Sequence, residues 1–105
     1  MRTLEFVVDG QRLTKKKDCN FSNLVAGSVG YLTAKFEFSY EWDGCKKAAS
    51  FWVDDQEYAA MLDFRNECVI PPEALQGDSF RVSVTGVKDN YQIVSSKTKV
   101  NQEVY

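Results

Sequence analysis

The chain contains no histidine. That absence removes the side chain most used as a general base, the commonest nitrogen ligand of zinc, and the usual partner of a serine or cysteine nucleophile. Cysteine is scarce: Cys19, Cys45 and Cys68 lie far apart, and no Cys-x-x-Cys pair occurs. An odd count at such spacing fits neither a disulfide framework nor a zinc site, so buried structural thiols are expected. Long apolar runs are missing too. Nothing reaches the roughly 7–15 residues of a signal-peptide core or the ~20 of a membrane span, and a protein made and kept soluble is expected.

Other chemistry is thinly supplied. Glu41, Asp43, Asp54, Asp55 and Glu57 fall at the ends of expected strands, where solvated carboxylates are ordinary, and their spacing matches no calcium-binding EF-hand loop. Gly27-Ser28-Val29-Gly30 lacks the lysine and following helix of a phosphate loop and reads as a turn. The net charge of -2 gives no global basic field. Arg12 with Lys15, Lys16 and Lys17 makes one short basic run, closed by Asp18, which reads as a solvated turn rather than a nucleic-acid site. Neither an enzyme, a metal, an organic cofactor, a nucleic-acid partner nor a membrane partner is expected.

What the chain does contain is alternation. Leu32-Thr33-Ala34-Lys35-Phe36-Glu37-Phe38-Ser39 switches between apolar and polar at every step, as a half-buried strand requires. Leu4, Phe6 and Val8 repeat the period, as do Phe80, Val82 and Val84. Weaker strands are expected at Cys19 to Ala26, Lys47 to Val53, Glu57 to Phe64, Glu67 to Ile70 and Tyr91 to Val100. Turn chemistry separates them at Asp9-Gly10, Gly27 to Gly30, Asp43-Gly44, Asp54-Asp55, Arg65-Asn66, Gly77-Asp78 and Asp89-Asn90. Pro71 to Gln76 suits a single helical turn at a crossover between sheets. Residues Val100 to Tyr105 either extend the last strand or begin a connection to something further. With 105 residues and no linker or repeat, residues 1–105 form one domain. The expected fold is all-β: an immunoglobulin-like antiparallel sandwich of about 7–9 strands with one short helical turn near Pro72 to Gln76.

Strand parity separates the two tryptophans. Continuing the period of Phe36 and Phe38 through Tyr40 turns Trp42 inward as a core anchor. In Lys47 to Val53 the inward set is Ala49, Phe51 and Val53, leaving Ala48, Ser50 and Trp52 outside. If Asp54-Asp55 closes a two-residue hairpin, Ser50 opposes Ala59 and Ala48 opposes Met61. An outward apolar patch of Ala48, Trp52, Ala59 and Met61 follows, and such patches mark protein interfaces, in which tryptophan is enriched.

The run Val29 to Ser39, followed by Glu41-Trp42-Asp43-Gly44, Lys46-Lys47-Ala48 with Phe51, Glu67-Cys68-Val69-Ile70-Pro71 and Phe80 to Gly86, resembles a small domain of tailed bacteriophages. That domain occurs in virion structural proteins of phages of Gram-positive bacteria, often at the N-terminus of longer tail, baseplate or fibre proteins. The resemblance implies a module that docks onto a tail, baseplate, fibre or capsid, with other phage structural proteins and copies of itself as partners. It also implies a place in the virion, assembled in the host cytoplasm. It carries no catalytic residue. Longer relatives continue past the last strand whereas this chain stops at Tyr105, which adds a stand-alone accessory, decoration or connector role to the tail, baseplate, fibre and capsid roles that the resemblance implies. Two alternatives stay open: a carbohydrate- or receptor-binding module stacking a host-surface glycan on Trp52, Tyr58 or Tyr40, and an early phage protein that inhibits a host enzyme or defence complex.

Overall fold

Alternation is realised as buried stripes in a computed structural model that describes residues 1–105. The strands are β1 (Arg2–Asp9), β2 (Arg12–Lys15), β3 (Leu32–Phe38), β4 (Lys46–Val53), β5 (Gln56–Met61), β6 (Glu67–Val69), β7 (Ser79–Lys88), β8 (Tyr91–Val94) and β9 (Thr98–Asn101). They form two sheets. One has the order β2-β1-β3-β6; the other runs β5-β4-β7, with β8 and β9 both along the far edge of β7. The β1–β3 pair is parallel and every other ladder is antiparallel. The chain is thus the all-β sandwich that its patterning predicts.

Each sheet turns one apolar stripe inward. Leu4, Phe6 and Val8 of β1 meet Leu32, Ala34 and Phe36 of β3 on one side, and Ala49, Phe51, Phe80, Val82 and Val84 of β4 and β7 on the other. Each large side chain so buried contributes about 1.5–3 kcal/mol of transfer free energy. Phe6 stacks on Phe36 with ring centroids 5.2 Å apart, and Phe38 continues the row to Trp42 at 5.0 Å.

Trp42 is fully buried, although not by the continuation of a strand. The chain leaves β3 at Ser39 and makes a 3-10 turn over Tyr40–Trp42, which throws Tyr40 out to 80% exposure and swings the indole under the sheets. Its Nε1–H donates to the Gly10 carbonyl at 2.7 Å, so the buried polar atom is satisfied. A second 3-10 turn, Pro72–Leu75, is the expected helical turn at the crossover between sheets.

Several local expectations need correcting. Arg12 to Lys15 is not a turn but β2, because Leu13 is buried against the core and Gly10, at φ 59°, lets the chain reverse onto β1. The basic side chains of this run stay outside, and Lys16 is held by Glu37 and Glu5 at 2.7 and 3.7 Å. Cys19 to Ala26 is not a strand. Its carbonyls at Asn20, Ser22 and Asn23 are taken by the Arg2 guanidinium, and Asn23 sits at φ 59°. Only Val25 forms a bridge, to Glu103, which ties the C-terminal segment beyond β9 to this loop. The strand after Asp55 ends at Met61, short of Phe64. The stretch from Tyr91 to Val100 is broken into β8 and β9 by Ser95, Ser96 and Lys97.

Candidate binding face

The β4–β5 hairpin has the register its sequence predicts. Val53 pairs with Gln56 across Asp54-Asp55, Ser50 opposes Ala59 and Ala48 opposes Met61. Asp54 takes φ 52°, a left-handed conformation that aspartate tolerates better than most residues. Ala49 and Phe51 are therefore buried, Val53 is half-buried, and Ala48, Ser50 and Trp52 lie on the outer face.

On that face the ladders line up three rows. Met61, Ala48, Thr85 and Val94 run across β5, β4, β7 and β8. The next row holds Ala59, Ser50 and Ser83, and the third Glu57, Trp52, Arg81 and Lys99. Met61 is 64% exposed and Val94 42%, so the first row is an open apolar band floored by alanine and threonine. Ala59 is exposed, while Ala48 and Trp52 are half-buried. The four residues expected to form a patch do share one face.

Trp52 lies flat rather than projecting. Its Nε1–H donates to Ser83 Oγ at 3.0 Å, and Ser50 Oγ donates to Glu57 Oε2, so indole and carboxylate together cover two serines that would otherwise be wet. Over the indole, 3.9 Å from a ring centroid, stands the ammonium of Lys97.

Lys97 reaches that position because of a bulge. Thr85 pairs with Val94 and Val82 with Thr98, so two residues of β7 face three between β8 and β9. The extra residue bends the strand, as bulges do, and sends neighbouring side chains in different directions. Ser95 stays in the sheet, its N–H donating to the Val84 carbonyl and its Oγ accepting from the Val84 N–H. Ser96 turns towards β2, where its N–H donates to the Gln11 carbonyl and its Oγ accepts from Leu13. Lys97 turns onto Trp52.

Arg81, Lys97 and Lys99 so converge at one end of the face, beside a shallow depression of about 380 Å³ that also meets Asp54 and Asp78. None of the three forms an ion pair; those of the chain are Lys16 with Glu5 and Glu37, and Lys35 with Glu67. Arg81 and Lys99 are direct cross-strand neighbours, an arrangement that repels in the free protein. This cluster is absent from any linear run, because its members come from β7, the bulge and β9. At the other end Phe64, just beyond β5, is 90% exposed with the Arg65 guanidinium 5.3 Å from its ring centroid.

The remaining candidates disperse. Tyr58 opposes Phe51 and so sits on the other side of the sheet from Trp52, and Tyr40 belongs to the 3-10 turn before β4. No aromatic platform results, and Lys97 occupies the indole face on which a sugar ring would stack. Asp54 and Asp55 point into solvent, and no three His, Cys, Asp or Glu side chains converge. Cys45 and Cys68 are buried, Cys19 is half-buried, and all three are free thiols. Burial, aided by nearby Asp63, pushes the Cys68 thiol up to about 12, which keeps it protonated and unreactive.

No family model, no curated protein and no solved structure matches the chain.

Proposed function

We propose that the protein is a non-enzymatic structural or accessory component of a bacteriophage particle, acting by protein–protein contact through the outer face of β5, β4, β7 and β8. The observation that carries this reading is the uncovered row of Met61, Ala48, Thr85 and Val94 beside Trp52. An open apolar band of small and medium side chains, with an aromatic ring at its edge, is the anatomy of an interface centre with its rim. Arg81, Lys97 and Lys99, none of them in an ion pair, gather at one end of that rim with Glu57, Asp54 and Asp78, which suits a partner presenting an apolar ridge next to charged side chains. The phage setting comes from the sequence resemblance.

Mass spectrometry of purified particles of the encoding phage tests the setting. Peptides from this chain at a copy number comparable to tail or capsid components are expected. Their absence from particles, with the protein present in infected cells, would remove the reading.

A further inference from the structure

Every strand at the edge of an open sheet leaves backbone N–H and C=O groups pointing sideways, and soluble proteins cover or blunt them. Three of the edges here are managed. On β2, the outward groups of Leu13 are both used: its N–H donates to Ser96 Oγ at 3.1 Å and its carbonyl accepts from Thr98 Oγ1 at 2.5 Å. The same contacts shield the bulged β8–β9 edge, where Gln11 Nε2 also donates to the Val94 carbonyl at 3.0 Å. On β6, a strand from Glu67 to Val69 only, Asp63 caps the outward groups of Glu67 through its N–H at 2.9 Å and its Oδ1 at 3.0 Å.

The edge of β5 has none of these devices. Leu62 N–H donates to the Lys47 carbonyl, and antiparallel pairs alternate between bonded and non-bonded, so Glu57, Ala59 and Met61 turn their N–H and C=O away from β4. The strand runs unbroken from Gln56 to Met61, carries no lysine, proline or bulge, and has Glu57 as its single charge.

We infer that β5 pairs edge to edge with β5 of a second copy of this chain, antiparallel about a two-fold axis at Ala59, joining the β5-β4-β7 sheets of the two copies into one. This deepens the assembly reading above and rests on it for its role. The occupant is set by self-complementarity. With Ala59 opposite its own counterpart, each Tyr58 faces Ala60 of the other copy, large against small, and each Glu57 faces Met61 rather than a like charge. The register uses every outward group of the strand, giving about six backbone hydrogen bonds across the axis. In this register the apolar row ending at Met61 abuts the Glu57 and Trp52 row of the other copy, so the two outer faces form one continuous surface. A contact of this size is weak to moderate, with a dissociation constant on the order of 1–100 µM.

Sedimentation equilibrium of the purified chain, from about 1 to 500 µM, tests this. A monomer–dimer equilibrium is expected. Ala59→Pro removes an outward donor without touching the β4 ladder, and Ala59→Lys sets two ammonium groups side by side at the axis. Both should remain folded by thermal melting and weaken dimerisation at least about tenfold. Val69→Lys, on the three-residue β6 edge of the other sheet, should leave it unchanged. A wild-type monomer throughout the range, folded Ala59 variants that dimerise like wild type, or loss of the dimer in Val69→Lys would each overturn the proposal. If Ala59→Pro fails to fold, Ala59→Lys decides. Because the measurement uses the isolated chain, its failure leaves the particle result standing.

Discussion

Gly86 is the position at which the packing makes its sharpest demand. It sits in β7 between Lys47 of β4 and Ile93 of β8, at an ordinary strand φ, so backbone freedom is not the reason for glycine. A Cβ there would lie 2.8 Å from Trp42 Cε3, 3.0 Å from Cζ3 and 3.1 Å from Cys45 Cβ. Comfortable carbon contacts need ~3.5–4.0 Å. The indole cannot retreat freely, since its Nε1–H is fixed to the Gly10 carbonyl at 2.7 Å and its face rests against Phe38. Overpacking of this kind costs about 1–3 kcal/mol, and loss of the indole hydrogen bond about 1 more. The stiffer unfolded chain returns roughly 0.4–1 kcal/mol. Gly86→Ala should therefore destabilise by about 1.5–3 kcal/mol, read by urea unfolding as a lower midpoint at unchanged slope. At ~4 °C per kcal/mol the melting temperature should fall by about 6–12 °C. Trp42→Phe in the Gly86→Ala background should recover part of that loss. A Gly86→Ala protein that melts within about 2 °C of wild type, or above it, would refute the placement of the indole.

The two tryptophans should separate in stability: Trp42→Ala is expected to lose about 3–5 kcal/mol by chemical denaturation, and Trp52→Ala less than about 2. Cys68, with its thiol pushed up to about 12, should resist a thiol reagent at pH 8 until the chain unfolds, whereas labelling of the native protein at the rate of a free peptide thiol would contradict its burial. The Glu41 carboxyl is held below its ordinary value, first by the hydrogen bond from Ser39 and then by its own backbone N–H. The stability this lends is present above the unfolded-state pKa and is lost as pH falls through the lower folded one. Ser39→Ala should raise the Glu41 pKa in an NMR titration and flatten that part of the acid unfolding curve; an unmoved titration would refute the linkage.

Much of the architecture is legible in the sequence because strand parity is local. Leu32 to Phe38 announces its inward face residue by residue, and Asp54-Asp55 fixes a hairpin register that places Ala48, Trp52, Ala59 and Met61 together. β2 escapes notice because its one apolar residue, Leu13, stands among Arg12, Thr14 and Lys15, so charge outweighs period. Cys19 to Ala26 looks like a strand because the partner that satisfies its carbonyls, Arg2, is remote in sequence. The inward turn of Trp42 is foreseen for an insufficient reason, since the chain curls at Tyr40 instead of extending. The bulge between Val94 and Thr98 has no local signature, and with it the meeting of Lys97, Arg81 and Lys99 around Trp52 is hidden. Phe64 is likewise concealed, because only the end of β5 at Met61 shows that the ring lies beyond the sheet.

Incorporation of a Trp52→Ala/Met61→Lys double variant into particles, alongside the wild-type chain in a complementation experiment, tests the docking face most directly. The variant is expected to fold, with a cooperative melt, yet to enter particles at least about tenfold less than wild type. A folded variant incorporated to the wild-type level would contradict it.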